Sequence, residues 1–160
     1  MRLSVEPSTD PSDYSFTHDI RVRFAETDAM SIVHHSNYLV YFEEARVAFL
    51  GHVGRPFTAW RADGIESPVL ESFVQYRHPC RFDEQLTVHL SLAAATRATF
   101  QMSYLVTAAV ADTEADTDTD TDTGSHDVRT TGVTVHGCTT TAGRPTRLPT
   151  WLTELAARQP

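Results

Sequence analysis

One segment near the start of the chain, from Arg21 to Arg46, constrains the fold more than any other. Residues 18–24, which overlap the start of this segment, alternate apolar and polar side chains. This alternation predicts a half-buried strand whose inner face carries Ile20, Val22 and Phe24. A loop containing Asp28 follows, and a helix is predicted after Ser36 or Asn37. Apolar residues are spread so widely around this helix that we expect other structure to surround it.

The rest of the chain is predicted to be mostly strands. Gly51 or Gly54 can end the long helix, and Pro56 can start a shorter one through Trp60. Alternating or β-branched stretches then predict four strands, and a short helix is expected near Trp151; the four strands are residues 68–76, 85–92, 97–110 and 128–138. One strand, a buried helix and four consecutive strands indicate an α+β domain with a mostly antiparallel sheet.

Length and composition indicate one domain without a membrane or nucleic-acid role. The 160 residues suit a single domain over 16–158, preceded by a disordered lead-in at 1–15 that lacks the apolar core of a secretion signal. No apolar run approaches the roughly 20 residues that span a bilayer. The net charge is −8, and no basic face for nucleic acid is indicated. Two widely spaced cysteines favour reduced thiols and a cytoplasmic location.

An acidic segment at 112–127, DTEADTDTDTDTGSHD, separates the last two predicted strands. Its low complexity and lack of large apolar residues predict a solvated hairpin extension. A calcium loop is the alternative, because Asp118, Asp120 and Asp122 are spaced like its first ligands. Against it, Thr123 stands where a glycine is required, and Arg129 stands where the bidentate glutamate should be.

The order strand, acid-bearing loop, helix points to acyl-transfer chemistry. The first N–H groups of a helix have no partners within it, and the helix dipole adds partial positive charge there. Negative charge that develops on a carbonyl oxygen would be stabilised at that point, with Asp28 beside it as nucleophile or base.

The run from Asp28 to Tyr38, DAMSIVHHSNY, resembles the pattern Asp-x-x-Gly-(Ile/Val)-Val-x-x-x-x-Tyr of hotdog-fold acyl-CoA thioesterases of the 4-hydroxybenzoyl-CoA type. The resemblance implies the hotdog fold, an antiparallel β-sheet wrapped around a long central helix. It also implies that Asp28 is the catalytic carboxylate and that the backbone N–H of His35 polarises the thioester carbonyl. Ser31 replaces the usual glycine; if that position needs a positive φ, serine is strained there.

The same resemblance implies the remaining properties of the site. The substrate-binding residues would be Val33, His34, Tyr38 and Arg97, the last facing the CoA phosphates. No cofactor is implied, because CoA is part of the acyl-CoA substrate, and the family works as homodimers or homotetramers with sites at subunit interfaces. Candidates for the pocket floor are Tyr41, Phe42 and Phe73.

Several alternatives remain open from sequence. A hotdog hydratase or dehydratase would pair an Asp with a His, and a non-catalytic acyl-CoA-binding module would be consistent with Ser31. His34 and His35 suggest a metal pair, but no third ligand follows at helical spacing, so we predict no metal site. A triad can be drawn from Ser36, His35 and Asp28, although nothing in the sequence aligns them. Glu43 and Glu44 suit salt bridges or an interface better than catalysis.

Overall fold

The computed structural model describes residues 4–109 and 127–158. Within them, a five-stranded sheet has the order β1-β4-β5-β6-β3, and each neighbouring pair is antiparallel. Its strands are β1 (Phe16–Arg21), β3 (Val69–Tyr76), β4 (Gln85–Ala95), β5 (Thr99–Ala108) and β6 (Asp127–Gly137). A second sheet contains the short strands β2 (Ile65–Glu66) and β7 (Thr139–Thr140). The antiparallel α+β prediction is confirmed.

The long helix α1 (Asn37–His52) packs on one face of the large sheet. The ring of Phe42 stacks on that of Tyr104 of β5, with centroids 4.3 Å apart and planes 11° apart. Gly132 of β6 makes room for this ring, because a β-carbon at that position would lie 2.7 Å from Phe42 Cζ. The helix is therefore seated at a point where the sheet carries no side chain.

The end of α1 follows the predicted glycine chemistry. Gly54 adopts a φ of +72°, and the N–H of Arg55 donates to the carbonyl of Leu50 at 2.8 Å. This six-residue closure satisfies one of the last helix carbonyls and needs a left-handed residue, which glycine supplies without strain. The shorter helices α2 (Phe57–Ala62) and α3 (Thr150–Ala156) meet where Trp60 packs edge-to-face on Trp151 at 5.3 Å.

Two expectations for the first part of the chain differ from the structure. Strand β1 ends at Arg21, and a 3-10 helix over Phe24–Glu26 turns Phe24 outward, where it is 76% exposed. Ile20 and Val22 are buried as predicted, but the common face with Phe24 is wrong because the strand stops before it. Residues 4–15, expected as a disordered lead-in, hydrogen-bond to the sheet through Ser4 to Gln101 and Ser15 to Ser91.

The acidic segment at 112–127 lies outside the described residues except for Asp127, which opens β6. Its prediction as a solvated extension, and the calcium alternative, remain untested. In the described ranges, no helix is both long and apolar enough to cross a bilayer.

Replacing Gly132 with alanine is expected to lower the free energy of unfolding by about 1–3 kcal/mol, because the new methyl group forces Phe42 away from Tyr104. Urea denaturation measures the change. Gly51→Ala is the matched control, since Gly51 lies in α1 and, apart from its chain neighbours and the helix's own backbone, no described atom lies within 4 Å of the point that the new methyl group would occupy. That control should raise the stability by up to about 1 kcal/mol, and equal effects of the two substitutions would contradict the packing argument.

Candidate active site

The loop between β1 and α1 folds into a tight turn around Asp28. The Asp28 N–H donates to the carbonyl of Ile32 at 2.9 Å, and the Ser31 N–H donates to the carbonyl of Asp28 at 2.9 Å. Ser31 adopts a φ of +58°, the left-handed conformation that the resemblance assigned to a glycine. The turn is therefore formed with serine, at the cost of local strain.

The Asp28 side chain stabilises the turn, and the residue also lines a cavity. Its Oδ1 accepts the Met30 N–H at 2.8 Å, which is the turn-forming role common for aspartate in loops. The residue also lines a cavity of about 330 Å³. Within the described residues no other hydrogen bond to this carboxylate is present, so its second oxygen can face a reacting group.

This cavity lies between the Asp28 loop, the start of α1 and the end of β3. It is lined by Asp28, Met30, Ile32, Val33, His35, Tyr38, Tyr76, Arg77, His78 and Pro79. Most of this lining is apolar or aromatic, and the polar groups are few, as in sites that hold small molecules. Asp28 therefore borders a cleft, as a residue that acts on a bound substrate must.

The backbone at the start of α1 supplies a free donor. The N–H groups of Val33, His34 and Asn37 all donate to backbone carbonyl oxygens. In contrast, the N–H of His35 makes no hydrogen bond to any residue that the structure describes. His35 lines the cavity together with Asp28, so the residue with the unbonded N–H and the acid border the same small volume.

Glu26 holds this loop against the helix. It is only 6% exposed, and its carboxylate accepts the Arg23 N–H at 2.8 Å, the Arg23 guanidinium at 2.7 Å and the Tyr41 hydroxyl at 2.7 Å. Its carbonyl accepts the His34 N–H and the Asn37 side-chain amide. Burial raises the pKa of the carboxyl group, but the hydrogen bonds from Arg23 and Tyr41 outweigh burial and leave that pKa below its ordinary value.

The predicted substrate-binding residues separate into three groups. Val33 and Tyr38 are buried and line the cavity, and Tyr38 packs edge-to-face on Tyr76 with centroids 5.1 Å apart. His34 is exposed and is not among the lining residues; its Nδ1 pairs with Ser36 Oγ at 2.8 Å. Arg97 lies between β4 and β5, at the opposite end of the sheet from Asp28 in the same chain.

The candidates for the pocket floor do not line this cavity. Tyr41 and Phe42 belong to α1 and are fully buried, and Phe73 is partly exposed on the edge strand β3. The triad drawn from Ser36, His35 and Asp28 is not assembled, because Ser36 Oγ is bonded to His34 instead. Across the described part of the chain, no group of three or more His, Cys, Asp or Glu side chains is arranged to hold a metal ion.

Sequence reasoning missed the residues that come from the end of β3. The Tyr76 hydroxyl donates to the carbonyl of His35 at 3.1 Å and so ties β3 to the start of α1. Arg77 and Pro79 complete the wall of the cavity. These residues lie 48 to 51 positions beyond Asp28, and only the strand pairing reveals that they are neighbours. Glu26 was also missed, although its spacing from Arg23 is a readable ion-pair signal.

These features define a hotdog domain with an acid at the start of its central helix, and the comparison with known families agrees. A family model described as the thioesterase-like superfamily matches residues 22–156. The chain therefore belongs to the thioesterase-like superfamily, and the resemblance stated from residues 28–38 is confirmed.

Individual relatives show how far the similarity extends. A protein of Aquifex aeolicus (strain VF5), provisionally named an esterase, is 46% identical over 91 residues, covering 57% of this chain and 71% of that protein. The acyl-CoA thioester hydrolase YbgC of Escherichia coli is 29% identical over 79 residues, which cover 49% of this chain and 59% of that protein. A crystal structure of a 4-hydroxybenzoyl-CoA thioesterase superposes with a TM-score of 0.75 at 17% identity over 88% of this chain and 97% of that one, which confirms the hotdog fold.

Substituting Ser31 by glycine is expected to raise the free energy of unfolding by up to about 1 kcal/mol, because glycine adopts a φ of +58° without strain but gives a more flexible unfolded chain. Urea denaturation of wild type, Ser31→Gly and Ser31→Ala checks this. The alanine variant keeps the strain, so its stability should stay close to wild type. A glycine variant less stable than the alanine variant would show that the turn is not strained.

Proposed function

We propose that the protein is an acyl-CoA thioesterase that hydrolyses a CoA thioester to a carboxylic acid and free CoA. The observation that carries the proposal is that Asp28 and His35, whose backbone N–H is unbonded among the described residues, line one cavity. Membership of the thioesterase-like superfamily supports it independently of this geometry.

The reaction uses groups of the chain and one water molecule. The thioester carbonyl oxygen accepts a hydrogen bond from the His35 N–H, and the dipole of α1 stabilises the negative charge that develops on it. Asp28 either attacks the carbonyl carbon, giving an anhydride that water then opens, or removes a proton from the attacking water. The carbon–sulfur bond breaks, and CoA leaves as the thiol after it takes up a proton. No cofactor takes part in this scheme.

Binding of the CoA phosphates requires a cation near the mouth of the cavity. Arg77 lines the cavity and is exposed, so we propose it for this role within one chain. Arg97 remains a prediction for the same role, and its position at the far end of the sheet means that a second copy would have to provide it.

We propose that two copies pair through β3. Among the described strands, β3 is at an edge of the sheet, and it exposes large apolar side chains: Val69, Leu70, Phe73 and Tyr76. The neighbouring surface of α1 adds Leu39, Val40 and Val47. A two-fold axis near Phe73 would set Tyr76 of one copy against Val69 of the other. The end of the sheet that carries Arg97 would then adjoin the Asp28 cavity of the second copy.

A reducing compartment is part of the proposal. Cys80 and Cys138 are both free and buried, and burial raises the pKa of the Cys80 thiol to about 11, which keeps it protonated and unreactive. These features suit the cytoplasmic location predicted from sequence.

Replacing Asp28 with asparagine is expected to lower the rate of thioester hydrolysis by about 10²–10⁴-fold while leaving the protein folded. The asparagine side-chain oxygen can still accept the Met30 N–H, so the turn is preserved. Release of CoA from several acyl-CoAs, followed with a thiol reagent, measures the rate. The control is Asp63→Asn, an exposed acid at the end of α2 that should change nothing.

The same assay separates the proposal from its two alternatives. Asp28 and His35 line one cavity, which is also the arrangement that a hydratase would need. Hydration of an enoyl-CoA leaves CoA attached, so mass analysis of the product would identify it. Wild-type protein that binds acyl-CoA but neither releases CoA nor hydrates the chain would be a non-catalytic binding module, and the thioesterase proposal would be wrong.

Phe73→Glu is expected to convert a dimer into a monomer, because it places a charge in the centre of the proposed β3 interface. Light scattering coupled to size-exclusion chromatography gives the mass in solution. Phe82→Glu is the matched control, since Phe82 is also exposed, at 54% against 44% for Phe73, but packs on Phe24 outside this surface. A wild-type monomer, or a Phe73→Glu variant that remains dimeric, would refute pairing through β3.

A further inference from the structure

A second cavity, of about 210 Å³, lies between α1 and the sheet and shares no lining residue with the Asp28 cavity. Apolar walls come from Leu39, Phe42 and Val69. Its polar lining includes Arg46, Tyr104 and His136, which the proposed hydrolysis does not use. Leu39 and Val69 are both exposed, so the cavity opens toward the surface formed by α1 and β3.

Arg46 brings a buried positive charge to this cavity. The residue is 5% exposed, and its Nη1 has no hydrogen-bond partner among the described residues. Its ion-pair partner is Glu43 at 4.0 Å, and the Glu43 side chain is 70% exposed. Because arginine stays protonated in proteins, the guanidinium cannot lose its charge to suit a dry site. The guanidinium also lies over the Phe57 ring, 5.7 Å from its centroid, but this contact leaves Nη1 unbonded, so a closer anion would stabilise the buried cation.

Apart from the exposed carboxylate of Glu43, the other polar groups that line the cavity are neutral. The Thr134 hydroxyl links the Tyr104 hydroxyl at 3.0 Å and His136 Nε2 at 2.7 Å. Burial, with a smaller effect from Arg46, lowers the pKa of His136 to about 3, so the imidazole is uncharged at neutral pH. Its Nδ1 is buried without a hydrogen-bond partner in the described structure. Arg46 is therefore the buried charge of the cavity, with neutral hydrogen-bonding groups beside it, whereas the Glu43 carboxylate is mostly exposed to solvent.

We propose that this cavity binds the carboxylate group of a small organic molecule. A carboxylate matches the guanidinium fork with two parallel hydrogen bonds, and the apolar walls suit a short hydrocarbon or ring behind it. The volume is below the range of about 300–1,000 Å³ typical of larger ligands, which excludes a whole CoA. In the pair of copies proposed above, the cavity opens at the interface, where the ligand would be enclosed.

The carboxylate has two possible sources, a free acid or the far end of a CoA-linked acyl group. Binding of a free acid does not require Asp28, so it is measured with the full-length Asp28→Asn protein. Benzoate and its neutral isostere benzamide are titrated into separate samples of this protein, and the chemical shifts of the methyl NMR signals are measured. We expect benzoate to shift the methyl signals of Leu39 and Val69, which line the Arg46 cavity, and benzamide to bind at least tenfold more weakly. Shifts confined to Met30 and Ile32 of the Asp28 cavity would overturn the proposal.

Substitutions at the cavity give opposite expected effects. Arg46→Gln should weaken benzoate binding by at least about tenfold, the usual effect of losing a charge-assisted hydrogen bond. Arg46→Lys keeps the charge but loses the guanidinium fork, so its affinity for benzoate should lie between those of the wild type and Arg46→Gln. Glu43→Gln should tighten binding about two- to threefold, because it removes a competing carboxylate at the solvent-screened distance of an exposed pair. Unchanged affinity in all three variants would overturn the proposal, and the Glu43 variant retains this power even if the Arg46 variants fail to fold.

A second arm, which rests on the proposed thioesterase function, identifies the source. The kcat/KM for glutaryl-CoA is compared with that for pentanoyl-CoA, which lacks the terminal carboxylate. A preference for glutaryl-CoA that Arg46→Gln removes assigns the cavity to the acyl end of the substrate. Equal rates together with benzoate binding assign it to a free acid. If neither ester is hydrolysed, this arm fails with the thioesterase proposal, whereas the benzoate result still decides whether the cavity binds carboxylates.

Discussion

The position of the start of α1 depends on one buried carboxylate. Glu26 receives hydrogen bonds from Arg23 and Tyr41 through its side chain, and from His34 and Asn37 through its carbonyl. These bonds connect the end of the first strand, the Asp28 loop and the first turns of α1. A buried charge is tolerated only when it is paired and hydrogen-bonded, so this arrangement admits few alternatives. The relative positions of the catalytic candidate and the helix start follow from it.

Two cavities with different polar groups lie along the same helix. At the start of α1, an acid and a residue with an unbonded backbone N–H line one cavity, which suits a reaction in which negative charge develops on a carbonyl oxygen. Two turns further along, the buried guanidinium of Arg46 lies beside neutral hydrogen-bonding groups and the exposed Glu43, which suits an anion that is already formed. Both cavities border the exposed surface of β3. Pairing of two copies there would bring an acid-bearing cavity of one protomer close to an arginine-bearing cavity of its partner.

Local patterns predicted most of the regular structure, because alternation and helix-ending residues act over a few positions. The helix end at Gly54 and the strands β3 to β6 within described residues match the expectations closely. Phe24 does not lie on the inner face of the first strand as expected, because the 3-10 helix stabilised by the Arg23–Glu26 pair ends the strand before it. The small sheet of β2 and β7 was also missed, since two-residue strands carry too little pattern to be read.

The sequence by itself determined the order strand, acid-bearing turn and apolar helix, because Asp28, Ser31 and His35 are close along the chain and their geometry is local. The glycine of the family pattern raised a positive φ at Ser31 as a condition, and the structure shows that φ is +58°. Only the tertiary structure decided what surrounds them. Tyr76 reaches the His35 carbonyl because β3 pairs with β6, and Arg46 is buried because α1 lies across the sheet. Such contacts join residues far apart in the chain, so their positions depend on strand register and helix packing, which no short segment encodes.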